Sequence, residues 1–142
     1  MTKQKAWIEA IRPRTLPLSL AGILFGSAIA FQAGAVDWII FSLSISTTLL
    51  FQVLSNLAND YGDGVKGTDA ERIGEKRAVA SGEISAKQMK NAVILFSILS
   101  AVTASLLIFI SFGIENLKWI LLFLFLTAAC VWAAIKYTVG KN

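Results

Sequence analysis

The chain contains no histidine, one cysteine and two prolines among 142 residues. Without histidine there is no Ser-His or Cys-His nucleophile pair and no imidazole metal ligand. Site chemistry is left to carboxylate, amide, hydroxyl, Lys and Arg groups. The lone Cys130 lies in an apolar run, which excludes a disulfide framework and a zinc-type thiolate cluster. Charge is also scarce: Asp, Glu, Lys and Arg make up 15% of the chain against 56% hydrophobic residues, and the mean hydropathy is +0.67. That balance places the chain among membrane proteins.

The few charges are spaced in a telling way. None falls between Arg14 and Asp37, Asp37 and Asp60, Lys90 and Glu115, or Lys118 and Lys136. Each gap is near or above the roughly 18 apolar residues that mark a membrane-spanning helix. The expected architecture is all-α and integral to the membrane, a single domain over residues 1–142 with spans at about 15–34, 37–58, 89–112 and 117–136. The net charge of +4 reads as a topology signal, with no nucleic-acid partner implied. Lys and Arg cluster before the first span, between the second and third, and after the fourth, while the turns near 33–36 and 113–116 have none. Positive-inside reasoning puts the N terminus and the long loop in the cytoplasm. The N-terminal segment has no clear signal-peptide cleavage site.

Residues 1–14 read as an interfacial amphipathic helix, with Trp7, Ile8 and Ile11 turned toward lipid, ended by Arg12-Pro13. Arg12 and Arg14 serve either as membrane-edge anchors or as anion ligands. Gly22 and Gly26 in the first span form a small-residue stripe that lets another helix approach. In the second span, Gln52 and Asn56 are amides inside hydrocarbon, where polar groups face a bundle interior or a wet cavity. They align at helical spacing with Asn59 and Asp63, and Asp60 lies beside them. A helix end needs one cap, whereas this ladder of oxygens suits a hard cation such as Mg²⁺. Residues 59–88 then form the expected active-site loop, with Gly64, Gly67, Gly74 and Gly82 in its polar part from residue 64 on. The loop is either a solvated linker or, because Lys66, Lys76 and Arg77 sit near the carboxylates, part of a site for metal-bound diphosphate.

At these residues the chain resembles the UbiA superfamily of intramembrane aromatic prenyltransferases, and within it the 1,4-dihydroxy-2-naphthoate polyprenyltransferase branch of menaquinone biosynthesis. The carriers are Arg12-Pro13-Arg14-Thr15-Leu16-Pro17 and Asn56-Leu57-Ala58-Asn59-Asp60-Tyr61-Gly62-Asp63. Asn59 and Asp63 match the first two positions of the family's Asn-x-x-x-Asp-x-x-x-Asp motif; Gly67 holds the third, and Asp69 stands two residues later. Arg77-Ala78-Val79-Ala80-Ser81-Gly82 is similar to the Arg-Pro-x-x-Ser-Gly stretch without its proline. Tyr137 and Lys141 match a Tyr-x-x-x-Lys motif that contacts diphosphate. The resemblance implies the N-terminal part of a nine-helix bundle in a bacterial inner membrane, a fragment inactive alone.

It also implies Mg²⁺ held by Asn56, Asn59, Asp60, Asp63 and Asp69, with Asn59 and Asp63 catalytic. Diphosphate would be held by Arg14, Lys66, Lys76, Arg77, Tyr137 and Lys141. The implied substrates are a polyprenyl diphosphate and 1,4-dihydroxy-2-naphthoate, the product demethylmenaquinone. The alternatives are a phytyl or 4-hydroxybenzoate relative of the same family, and a non-enzymatic four-helix membrane protein. A CDP-alcohol phosphotransferase is disfavoured because Gly67-Thr68 stands where that motif has Ala-Arg. An EF-hand loop fails on ligand spacing.

Overall fold

The computed structural model describes residues 2–66 and 78–139, with side chains as far as residue 136. Every regular element among them is helical: α1 (Lys3–Ile11), α2 (Leu16–Gln32), α3 (Trp38–Lys66), α4 (Ala86–Phe112) and α5 (Leu117–Val139), with short 3₁₀ turns at Pro13–Thr15 and Ile114–Asn116. Four stretches are long and apolar enough to cross a membrane: Lys3–Gln32, Trp38–Lys66, Ala86–Phe112 and Ile114–Lys136. α3 is the hub, in contact with α1, α2, α4 and α5.

Local chemistry sets the helix ends. Pro13 disfavours helical backbone at the residue before it, and α1 stops at Arg12, which adopts a left-handed conformation (φ 55°). α2 closes in a Schellman turn: Gly34 at φ 68° donates to the Phe31 carbonyl, and Ala35 to that of Ala30. The Asp37 carboxylate then accepts the N–H groups of Ile39 and Ile40 at 2.8 and 3.0 Å and starts α3. Ser85 and Gln88 form a capping box at the start of α4. At the far end of the α4–α5 pair, Phe112 lies 5.1 Å from Phe123 and 6.5 Å from Trp119 between ring centroids.

Three sequence expectations change. α3 runs eight residues past the expected end of its span and α4 starts at Ala86, so Asn59–Lys66 and residues 86–88 belong to helices and only 67–85 connect the two. α1 does not turn its apolar face wholly to lipid: Ala6 and Ala10 are buried, and Trp7 and Ile11 pack against the core, leaving Ile8 exposed. Gly22 and Gly26 meet no described neighbour, since a Cβ at either would find nothing within 4 Å.

One buried cluster gathers at one end of the bundle, while Ala104, Ile108 and Ile120 are buried toward the other. Ala6, Ala10, Val53, Leu54, Leu57, Ala58, Ala78, Ile84, Met89 and Val93 form one buried cluster, to which Phe51, Tyr61 and Val79 add partly buried surface. It joins α1, the C-terminal half of α3, the segment 78–84 and the start of α4. In lipid, helices gain little from hydrophobic burial against each other. At the membrane edge water is the competing solvent, and there burial stabilises. The tightly packed end is therefore the polar one, where the candidate site lies.

Candidate functional site

Two rows of α3 side chains share this end. Asn59 and Asp63 are four apart on a continuous helix and so lie on one face, each half-buried. Beside them runs the row Asn56, Asp60 and Gly64. Asn56 is 4% exposed and Asp60 2%.

Asn56 binds the elbow between α1 and α2. Its Nδ2 donates to the Ile11 carbonyl at 2.8 Å and to Thr15 Oγ1 at 3.1 Å. The Thr15 hydroxyl in turn donates to the Arg12 carbonyl at 2.9 Å. Gln52 adds longer contacts, from Nε2 to Thr15 Oγ1 and to Asn56 Oδ1, both at 3.5 Å. The elbow that carries Arg12 and Arg14 is thus fastened to α3 on both sides of the two arginines.

Asp60 binds the segment that leads into α4. Ala78 N–H donates to its Oδ2 and Val79 N–H to its Oδ1, both at 3.0 Å. A buried carboxylate is costly unless hydrogen-bonded, and two backbone donors meet that need with charge-assisted bonds. The segment is also tied to itself: Gly82 N–H donates to the Val79 carbonyl and Ile84 N–H to that of Ala78, while Ile84 is fully buried. Gly64 lies one turn beyond Asp60, where a Cβ would come within 2.6 Å of Val79 Cβ and 3.4 Å of Ala80 N. Ala78 stands where the resembled stretch has proline, and proline could not donate the bond to Asp60.

Lys66 is exposed in the last turn of α3, and Arg14 is exposed in the 3₁₀ turn. Asp69, Lys76, Arg77 and Lys141 lie outside the described residues, as does the Tyr137 side chain. Among the described residues no group of three or more Asp, Glu, Cys or His could hold a metal ion. Asn59 and Asp63 nevertheless supply hard oxygen donors on one face. Mg²⁺ is typically held by one or two carboxylates with water and phosphate completing its shell, so this donor pair fits it. Sequence reasoning missed Thr15, Gly64 and the amides of Ala78 and Val79. Thr15 had a signal, a hydroxyl just after the Arg-Pro-Arg break, whereas backbone amides leave none.

These features define a multi-pass integral membrane protein with its polar residues collected at one end of a helical bundle. The chain belongs to the UbiA prenyltransferase family, whose sequence model matches residues 19–141. It is 46% identical over 141 residues to a Haemophilus influenzae protein named 1,4-dihydroxy-2-naphthoate octaprenyltransferase, covering 97% of this chain and 45% of that protein. An Escherichia coli protein of the same name is 41% identical over 143 residues, covering 100% of this chain and 46% of the relative. A Mycobacterium tuberculosis protein so named is 30% identical over 136 residues, covering 96% and 44%. The chain spans less than half the length of these curated relatives. No solved structure matches it significantly.

Proposed function

We propose that this chain supplies the first metal- and diphosphate-binding surface of an enzyme that transfers a polyprenyl group from polyprenyl diphosphate to 1,4-dihydroxy-2-naphthoate, forming demethylmenaquinol, the reduced form of demethylmenaquinone. One observation carries the reading: Asn59 and Asp63 share a face of α3 at the polar end of the bundle, beside the row that holds an arginine-bearing elbow and a segment that follows Lys76-Arg77. Family membership and the names of the relatives support it.

In the proposed reaction the allylic C1–O bond breaks, diphosphate departs with the electron pair, and the prenyl carbon bonds to the electron-rich ring as its carboxylate leaves as CO₂. Asn59 and Asp63, with Asp69, would hold Mg²⁺, which when bound offsets the charge of the leaving diphosphate. Arg14, Lys76, Arg77, Tyr137 and Lys141, with Lys66 at the edge, would bind the diphosphate oxygens and orient C1. The lipid-facing helices accommodate the apolar chain. We place the polar end at the cytoplasmic face of a bacterial inner membrane, because the basic residues cluster there.

The test is prenyl transfer by the intact protein that contains this chain. Asn59→Ala and Asp63→Ala are each expected to lower the Mg²⁺-dependent rate by about 100-fold or more, the scale of losing one contact to developing charge. Full rate in either variant would reject the assignment.

A further inference from the structure

Asn56 and Asp60 match the metal-ligand chemistry seen in the sequence, yet their atoms are directed elsewhere. Building on the function proposed above, we propose that both are positioning residues: they hitch the α1–α2 elbow and the segment 78–84 to α3 beside the Asn59–Asp63 pair and do not ligate the metal.

Both clamps lie on one row of α3, beside the row that carries Asn59 and Asp63. Asn56, three residues before Asn59, brackets Arg12 and Arg14 by holding Ile11 O and Thr15 Oγ1. Asp60, the residue after Asn59, holds the Ala78 nitrogen, which is bonded to Arg77, and the Val79 nitrogen. Both side chains are buried, 4% and 2% exposed, whereas Asn59 and Asp63 keep partial exposure. Gly64 supplies an independent sign that the segment docks on this row, since it meets the strip beside Val79 too closely to admit a Cβ. A site that stabilises diphosphate gains most when its cations are held in place before substrate arrives. Fixing two chain segments to the helix that carries the metal ligands achieves that without using the ligands themselves.

The test reads the clamp without substrate or metal. Nitroxides are placed at Val65 and Ser81, both exposed, in the intact protein reconstituted in bilayers with other cysteines removed. With no Mg²⁺ or diphosphate present, the parent is expected to give one narrow distance distribution. Asp60→Ala is expected to broaden it and Asp60→Asn, which retains one acceptor oxygen, to broaden it less. Asn59→Ala is expected to leave it unchanged while removing activity. In kinetics, Asp60→Ala is expected to raise KM for the prenyl diphosphate about tenfold, with the half-saturating Mg²⁺ concentration at saturating diphosphate moving less than about twofold. An unchanged distance distribution in Asp60→Ala, or a tenfold rise in the Mg²⁺ requirement, would overturn the proposal. If Asp60→Ala does not fold, Gly64→Ala displaces the same segment without removing an oxygen. It should give the same broadening, and an unchanged distribution would count equally against the clamp. Because the distance readout needs no turnover, failure of the prenyl-transfer reading would leave it intact.

Discussion

Gly64 shows how little room α3 leaves for the chain that docks on it. A Cβ there would press on Val79 at 2.6 Å, so Gly64→Ala forces either Val79 or the whole segment to move. The expected cost is about 1–3 kcal/mol, the range for overpacking a filled contact, read as a lowered thermal midpoint in detergent. Asn56 makes a sharper case, because its role is donation. Asn56→Ala loses the bonds to Ile11 O and Thr15 Oγ1, at an expected cost of about 1–3 kcal/mol for polar groups left unpaired. Asn56→Asp keeps the shape but turns a carboxylate oxygen toward a carbonyl oxygen, and should destabilise at least as much. A harmless Asn56→Asp in the same thermal measurement would contradict the assignment of Nδ2 as the working atom. At this scale the shared helix face of Asn59 and Asp63 was legible in the sequence, from their helical spacing. The tasks of Asn56 and Asp60 were not, because the Ile11 carbonyl and the Ala78 amide lie 45 and 18 residues away and leave no side-chain signal.

Among the elements, α3 differs most from its sequence expectation, and the reason is physical. The charge-free gap before Asp60 measures where hydrocarbon penalises charge, while the helix end is set by backbone pairing, and the two need not coincide. Gly62 and Gly64 argue against helix, each costing about 1 kcal/mol relative to Ala. Packing overrides them: Gly62 is buried, and Gly64 lies beneath Val79. α4 was easier to place, because Ser85 and Gln88 stand three apart ahead of an apolar run. Ser85→Ala should cost about 1 kcal/mol. The change should appear as faster amide exchange in the first turn of α4, since the Gln88 N–H loses its acceptor. Unaltered protection there would mean that the cap does not hold the helix start.

On the scale of the whole molecule, packing is uneven by design of the solvent around it. The buried cluster lies at the polar end, whereas α2 has no buried residue and exposes Leu18, Phe25 and Phe31. The all-helical architecture and the count of membrane-length helices were readable from the charge gaps. The concentration of the core was not, because it depends on α1 and segment 78–84 folding back onto α3. That arrangement packs both segments on α3 beside Asn59 and Asp63, and the functional proposal depends on what those two side chains hold. The most direct measurement is Mg²⁺-dependent binding of a non-reactive prenyl thiodiphosphate to the intact protein, by titration calorimetry, in the parent and in Asn59→Ala and Asp63→Ala. The expected result is tight binding in the parent only when Mg²⁺ is present, and loss of that dependence in both variants. Mg²⁺-dependent affinity equal to the parent's in Asp63→Ala would contradict the central claim.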